Sequence, residues 1–183
     1  MTNAELAVLG LVVEQPRHGY QIEQLIEQRD MRRWTEIGFS SIYFLLKKLE
    51  RGGFIEGRLE KTERGPARKV YHATKTGQEA FRTAVIEALS MPQPRHRHLL
   101  LGLANLPTIT PAEALTALRQ YSQCLNARRE ILKAHRESLH PHPYFVEAMF
   151  DYNLTMMQAE LEWTERFIAQ VQSQSQTEQE KTV

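Results

Sequence analysis

The sequence predicts a mainly α-helical chain, with one two-stranded β-hairpin in its first half and two long paired helices in its second. Three observations predict it. Ile42, Leu45, Leu46 and Leu49 recur at the i, i+3, i+4, i+7 spacing of a single buried helical face. Gly52-Gly53 then stops that helix, and next come two runs rich in β-branched and aromatic residues, separated by a Gly65-Pro66 turn signal. In the second half, Leu118, Leu125, Leu132 and Leu139 repeat every seven residues, the period of a helix-pairing seam.

Taken in order, the elements begin with Thr2-Asn3-Ala4-Glu5, a capping box whose hydroxyl and carboxylate satisfy the free amides of a first helix. Leu6, Leu9 and Val13 make the apolar face of that helix, and Glu14-Gln15-Pro16 ends it. A second helix starts near His18-Gly19-Tyr20, carries Ile22, Leu25 and Ile26 inward and runs to about Arg29. The third helix spans residues 40–52. With its apolar four turned inward, it leaves Ser40, Ser41, Tyr43, Phe44, Lys47, Lys48 and Arg51 pointing out. Such a face is short, cationic and rich in hydroxyls, which suits phosphates and base edges in a major groove. Taken alone it also fits an ordinary solvated surface.

The segment after the third helix decides between the two. Residues 54–73 read as a hairpin with Arg64, Arg68 and Lys69 at its tip, and a further helix is expected from Thr74 to about Ser90. A helix that stops at glycine and leads into a cationic hairpin is the order of a winged helix-turn-helix, the wing lying along the backbone beside the inserted helix. Three short helices and a hairpin close a small core.

The run Leu9-Gly10-Leu11, the triplet His18-Gly19-Tyr20, the segment Ser41-Ile42-Tyr43 with Leu46-Lys47-Lys48-Leu49-Glu50, and the wing Gly65-Pro66-Ala67-Arg68-Lys69-Val70-Tyr71 resemble the PadR family of bacterial transcriptional regulators. Four motifs in the right order and spacing carry the resemblance over roughly residues 5 to 85. The later part of the chain resembles, more loosely, the C-terminal domain of the virulence-activator branch. The resemblance implies that Ser41, Tyr43 and Lys47 face DNA and that Arg68 and Lys69 lie on the wing. One departure is visible: the family usually places proline after the tyrosine, where this chain has Phe44. A proline in the first turn of a helix is tolerated rather than required, so the fold should not suffer. Phe44 is left either to contact thymine methyl groups or to pack against the neighbouring helix.

Charge is distributed in keeping with this. The whole chain carries only +1, with an isoelectric point near 7.9. Residues 31–75 hold eleven Lys and Arg against five acids, a local +6, so the remainder carries −5. Basic charge gathered on one face is the electrostatic footprint of oriented DNA binding.

With 183 residues and 42% hydrophobic composition the chain can bury one core or two small ones. Met91-Pro92-Gln93-Pro94 marks the expected boundary, since two prolines in three residues break any helix continuing from Ser90. The expected domains are a winged helix-turn-helix at 1–90 and a helical dimerisation domain at 91–183. The apolar run from Leu99 to Leu106 is too short to cross a membrane and reads as a short buried helix. Thr110-Pro111-Ala112-Glu113 starts a long helix, with Ala117, Cys124 and Ile131 beside the leucine seam. His140-Pro141-His142-Pro143 ends it.

The last helix, from about Tyr144 to Gln172, carries two apolar rows: Met149, Met156 and Trp163, and Phe150, Met157, Leu161, Ile168 and Val171. A helix apolar on two sides needs a second surface, most economically another copy of itself. These residues are therefore the expected dimer contacts, and a dimer places two recognition helices about one turn apart on a palindromic operator. An intramolecular helical hairpin in a monomer is the alternative. The polar tail from Ser173 to Val183 is expected to fray.

His96 with His98 and His140 with His142 lie in proline-containing connectors without joining carboxylates or cysteines, and read as surface histidines rather than metal ligands. Cys124, the single cysteine, falls on the apolar seam and reads as a buried, inert thiol. No catalytic motif is present, so an enzyme is not expected, nor a cofactor. The family resemblance does imply a small aromatic effector, held between the two domains. Trp34, Tyr152 and Trp163, with Met149 and Met156, are the candidate lining, although each also suits core or dimer interface. Met1 leads directly into a capping box, with no signal peptide between, so a cytoplasmic protein is expected. A non-enzymatic protein-interaction module using the same winged helix and long helices is the alternative function. It would show no sequence preference among duplexes.

Overall fold

Thr2 opens the first helix through both halves of its capping box: its hydroxyl accepts from the Glu5 amide at 3.2 Å, and the Glu5 carboxylate accepts from the Thr2 amide at 2.9 Å. The computed structural model describes residues 1–35, 37–38, 42–62, 65–92 and 98–180, without the side chains at 33, 62, 65, 66 and 175–180. The chain divides into two units, Met1–Pro94 and Arg95–Val183.

In the first unit the order is α1 (Asn3–Glu14), β1 (Arg17–His18), α2 (Gly19–Gln28), a 3-10 turn at Met31–Arg33, α3 (Ile42–Arg51), β2 (Ile55–Thr62), β3 (Gly65–Ala73) and α4 (Lys75–Ser90). Val8, Leu9, Leu11 and Val12 are the buried residues of α1, whereas Leu6 and Val13, expected inward, are half-buried. Nearly every position from 6 to 13 is apolar, so spacing alone could not select the face. The helix packs on α3, α4 and β3, and a wide arc of it is covered. Ile22 and Ile26 from α2, Ile42, Leu46 and Leu49 from α3 and Ile55 from β2 complete the core.

The sheet is antiparallel in the order β1-β3-β2, so it has three strands where two were expected. Arg17 pairs with Tyr71 and His18 with Val70. A two-residue strand is too short to show a period, and His18 carries the sequence signal of a helix start. It is both. As N-cap of α2 it has extended dihedrals, φ −85° and ψ 158°, which also fit a strand.

The exit from α3 is held tightly. Gly53 adopts φ +71°, a conformation that glycine enters without steric cost. Thr74, the N-cap of α4, accepts from the Gly77 amide at 3.0 Å and donates to the Gly53 carbonyl at 2.6 Å. Gly77 lies against the same turn: a Cβ there would sit 1.9 Å from the Phe54 carbonyl oxygen.

The second unit contains α5 (His98–Ala104), a 3-10 turn at Leu106–Thr108, α6 (Pro111–Ser138) and α7 (Tyr144–Glu180). The expectation that the Leu99 segment is buried is corrected. It is a helix, but none of its residues is buried in this chain, and Leu100 and Leu101 are exposed. Seven residues with apolar side chains all round cannot be covered by one neighbour.

α6 and α7 form an antiparallel hairpin. The Tyr121 hydroxyl donates to Glu160 at 2.7 Å near one end, and Arg136 pairs with Glu147 near the other. Ala114, Leu118 and Leu125 are buried from α6, and Phe150, Leu161, Thr164 and Val171 from α7. Cys124 and Ile131 are exposed, which corrects the reading of Cys124 as a buried thiol. One residue is about 100° of helix rotation, enough to carry Cys124 out of the seam that holds Leu125. α7 also runs on to Glu180, past the expected end at 172, because nothing in the Gln-, Ser- and Glu-rich stretch breaks a helix. No helix among the described residues is long and apolar enough to cross a membrane.

Candidate nucleic-acid interface

α3 buries Ile42, Leu45, Leu46 and Leu49 and leaves Tyr43, Phe44, Lys47, Lys48 and Arg51 exposed. Ser40, Ser41 and Arg64 lie outside the described residues. Phe44 is 66% exposed, so its ring is open to solvent rather than packed against the neighbouring helix.

The cations of this face differ in their company. Lys48 is ion-paired with Glu5, the same carboxylate that caps α1, and this contact holds the Glu5 carboxyl below its ordinary range. Lys69 places its ammonium 2.8 Å from Glu50. That contact lowers the Glu50 carboxyl and raises the Lys69 ammonium, while the second Glu50 oxygen accepts from the Gly57 amide at 3.1 Å. Gly57 has to be a glycine for this, since a Cβ there would meet Lys69 Cε at 2.0 Å. Lys47 and Arg51 make no ion pair among the described residues.

Beside α3 is an open cleft of about 440 Å³, lined by His18, Gly19, Tyr20, Tyr43, Arg68, Lys69 and Tyr71. His18 caps α2 by accepting at Nδ1 from the Gln21 amide at 3.2 Å, and its Nε2 lies 3.3 Å from Arg68 Nη1. Gly19 permits the approach of Tyr43: a Cβ would fall 2.7 Å from the Tyr43 ring. Tyr71 is buried under the cleft, and that burial raises its phenol. Glu5, His18 and Glu50 carry no sequence signal that assigns them to this face. Their partners lie 43, 50 and 19 residues away, and no local pattern announces such pairs.

In the second unit the residues expected at a dimer contact fall on two sides of α7. Phe150, Leu161 and Val171 are buried within the single chain, with Met157 and Ile168 half-buried. Met149 and Tyr152 are exposed, and Met156 and Trp163 are half-buried, with Trp163 stacked on Phe167 at 5.1 Å. Trp34, in the first unit, is 52% exposed. His142 is not the surface histidine expected: its side chain is 7% exposed and its Nε2 is 2.7 Å from Glu147. The Phe150 ring lies beside it and covers its outer face. Among the described residues no group of three or more His, Cys, Asp or Glu could hold a metal ion. His96 lies outside them.

Residues 8–83 match the model of the Transcriptional regulator PadR-like family. No curated protein sequence matches the chain. Among solved structures, Bacillus subtilis PadR in complex with operator DNA superposes with a TM-score of 0.73 at 22% identity, covering 91% of this chain and 98% of that one. The same protein in complex with p-coumaric acid gives 0.75 at 22%, with 92% and 98% covered. A PadR-like transcriptional regulator from Bacillus cereus gives 0.66 at 18%, with 93% and 99% covered. At these identities the likeness is one of fold, and it extends over both units. A winged helix with a three-stranded sheet, the four motifs in their order and the match over 8–83 agree: this chain belongs to the PadR-like family of transcriptional regulators, which are not enzymes.

Proposed function

We propose that this chain binds duplex DNA sequence-specifically as a homodimer, with α3 in the major groove and the wing against the phosphate backbone. The observation that carries the reading is the outer face of α3. Tyr43, Phe44, Lys47 and Arg51 stand exposed on a helix whose other side is locked into the core. Two aromatic rings held out in water are an expense that contact with thymine methyls and base edges offsets. Lys47 and Arg51, without acidic partners among the described residues, are available to phosphates or guanines.

The dimer rests on the outward row of α7, Met149, Tyr152, Met156 and Trp163, for which the hairpin with α6 offers no cover. A second copy of the same helix offers a matching one. Ser40 and Ser41, at the start of the recognition helix, and Arg64 on the wing belong to the proposed contact by their place in the sequence. The resemblance to the virulence-activator branch bears on the second unit in the same way. A DNA-binding regulator works in the cytoplasm.

Selection of bound duplexes from a random library tests this. A palindromic consensus with half-sites about one helical turn apart is the expected result; no preference among duplexes would favour a protein-interaction module. A small aromatic effector belongs to the same proposal, since a relative of this fold is known in complex with p-coumaric acid. Trp34, Tyr152 and Trp163 are the aromatic surface available to it. Titration with such acids should quench tryptophan fluorescence and weaken operator binding; neither change would remove the effector.

A further inference from the structure

We propose that His18 and Arg68 jointly hold one phosphodiester group of the DNA backbone, in the cleft between the start of α2 and the wing. The assignment rests on the DNA-binding reading and adds a residue and a ligand group to it.

The starting point is a conflict of hydrogen-bond roles. Arginine only donates, and a neutral imidazole has one donor and one acceptor nitrogen. His18 Nδ1 faces the Gln21 amide at 3.2 Å, and Nε2 faces Arg68 Nη1 at 3.3 Å, so both ring nitrogens look at donors. One imidazole cannot accept twice. The capping contact is reciprocal, because the Gln21 carboxamide oxygen also accepts from the His18 amide at 3.1 Å, and the helix start is built on it. Nδ1 is therefore the acceptor and Nε2 carries the hydrogen. That leaves an N–H and a guanidinium side by side with nothing between them, both in the cleft.

An anion with two oxygens resolves the conflict, one oxygen taking the His18 Nε2 hydrogen and the other the Arg68 fork. The surroundings favour a phosphodiester over a carboxylate side chain. The cleft opens beside Tyr43 on the recognition helix, and Tyr20, 58% exposed, stands at its rim. The first-turn amides of α2 add donors of the same sign. The nearest acid of the wing, Glu50, is already taken up by Lys69 and Gly57. A backbone phosphate flanking the groove occupied by α3 meets these donors without displacing any existing bond. Capping by Gln21 thus serves a second purpose: it fixes the His18 tautomer that can donate.

Full-length protein and its selected duplex test the assignment. His18→Asn keeps an N-cap acceptor but removes the outward donor, and Arg68→Gln removes the charge. His18→Asn should weaken binding about tenfold with the salt slope unchanged, because His18 donates while neutral. Arg68→Gln should weaken binding and lower the slope by about 0.9 per half-site. A duplex scanned with single methylphosphonates should contain one position per half-site at which wild-type affinity falls and neither substitution has any further effect. Wild-type affinity for His18→Asn, or a loss that persists at every methylphosphonate position, overturns the proposal while leaving DNA binding intact. Should His18→Asn fail to fold, nitrogen-15 NMR of wild-type His18 takes its place. The Nε2–H tautomer, shifted on adding duplex, is expected; the Nδ1–H tautomer or an unmoved signal overturns the assignment. If the wild type selects no duplex at all, the DNA-binding reading itself falls.

Discussion

Lys69 crosses over Gly57 to bring its ammonium within 2.8 Å of Glu50, tying the wing to the recognition helix. The wing cation that sequence places against a phosphate is thereby half-neutralised before any DNA arrives. Lys47, one turn earlier on the same helix, has no such partner among the described residues. Lys47→Gln should lower the slope of log affinity against log salt by about 0.9 per half-site, and Lys69→Gln by much less. Glu50→Gln, which releases Lys69, should steepen the slope. Anisotropy titrations of a selected duplex between low and moderate salt measure all three.

The Glu5 carboxyl is held below its ordinary value of 4.5, chiefly by Lys48. A carboxylate with a lowered folded-state value contributes stability above the unfolded value and loses it as pH falls through the folded one. The first unit should therefore weaken as pH drops below about 4.5, with Glu50, lowered by Lys69, acting in the same direction. Glu5→Gln should be less stable than wild type at neutral pH, and the difference should shrink in acid. Urea unfolding measured across that range decides it, and parallel curves at every pH would refute the linkage.

Gly77 and Gly19 should separate stability from function. Gly77→Ala drives a methyl group into the Phe54 carbonyl, a backbone atom that cannot step aside, so a loss of at least about 1–3 kcal/mol is expected in thermal or urea unfolding. Gly19→Ala meets only the Tyr43 ring, 61% exposed and free to swing. Stability should change by less than about 1 kcal/mol, yet operator affinity should fall because Tyr43 is moved.

On α7 the two apolar rows should respond oppositely. Leu161→Ala and Phe150→Ala remove buried side chains and should cost about 2–5 kcal/mol of stability. Met156→Glu, on the outward row, should leave helical content intact but yield a monomer in light scattering and a much weaker operator complex. A Met156→Glu protein that remains dimeric would place the subunit contact elsewhere.

Much of the fold is legible in the residues. Periodicity locates α3, and caps at Thr2, Thr74 and Thr110 start the helices that sequence assigns to them, because capping chemistry is local. The order of helix, glycine stop and hairpin is enough for the winged helix. The features that sequence misses are non-local: β1 is too short to have a period, and the pairs Glu5–Lys48, Glu50–Lys69 and His18–Arg68 join residues far apart in the chain. Burial of single helical residues is also misjudged where apolar positions crowd the helix, as at Leu6 on α1 and Cys124 on α6. There a rotation of one residue exchanges core for solvent.

The order β1-β3-β2 leaves β2 as an open margin of the sheet, with a row of peptide groups available to any strand that approaches sideways. Glu56, Arg58, Glu60 and Lys61 crowd that margin with charge, and around Leu59, 79% exposed, they act as gatekeepers against fibre growth. Replacing Arg58 and Lys61 by valine would remove that guard. The wing would then be the place where the protein begins to aggregate.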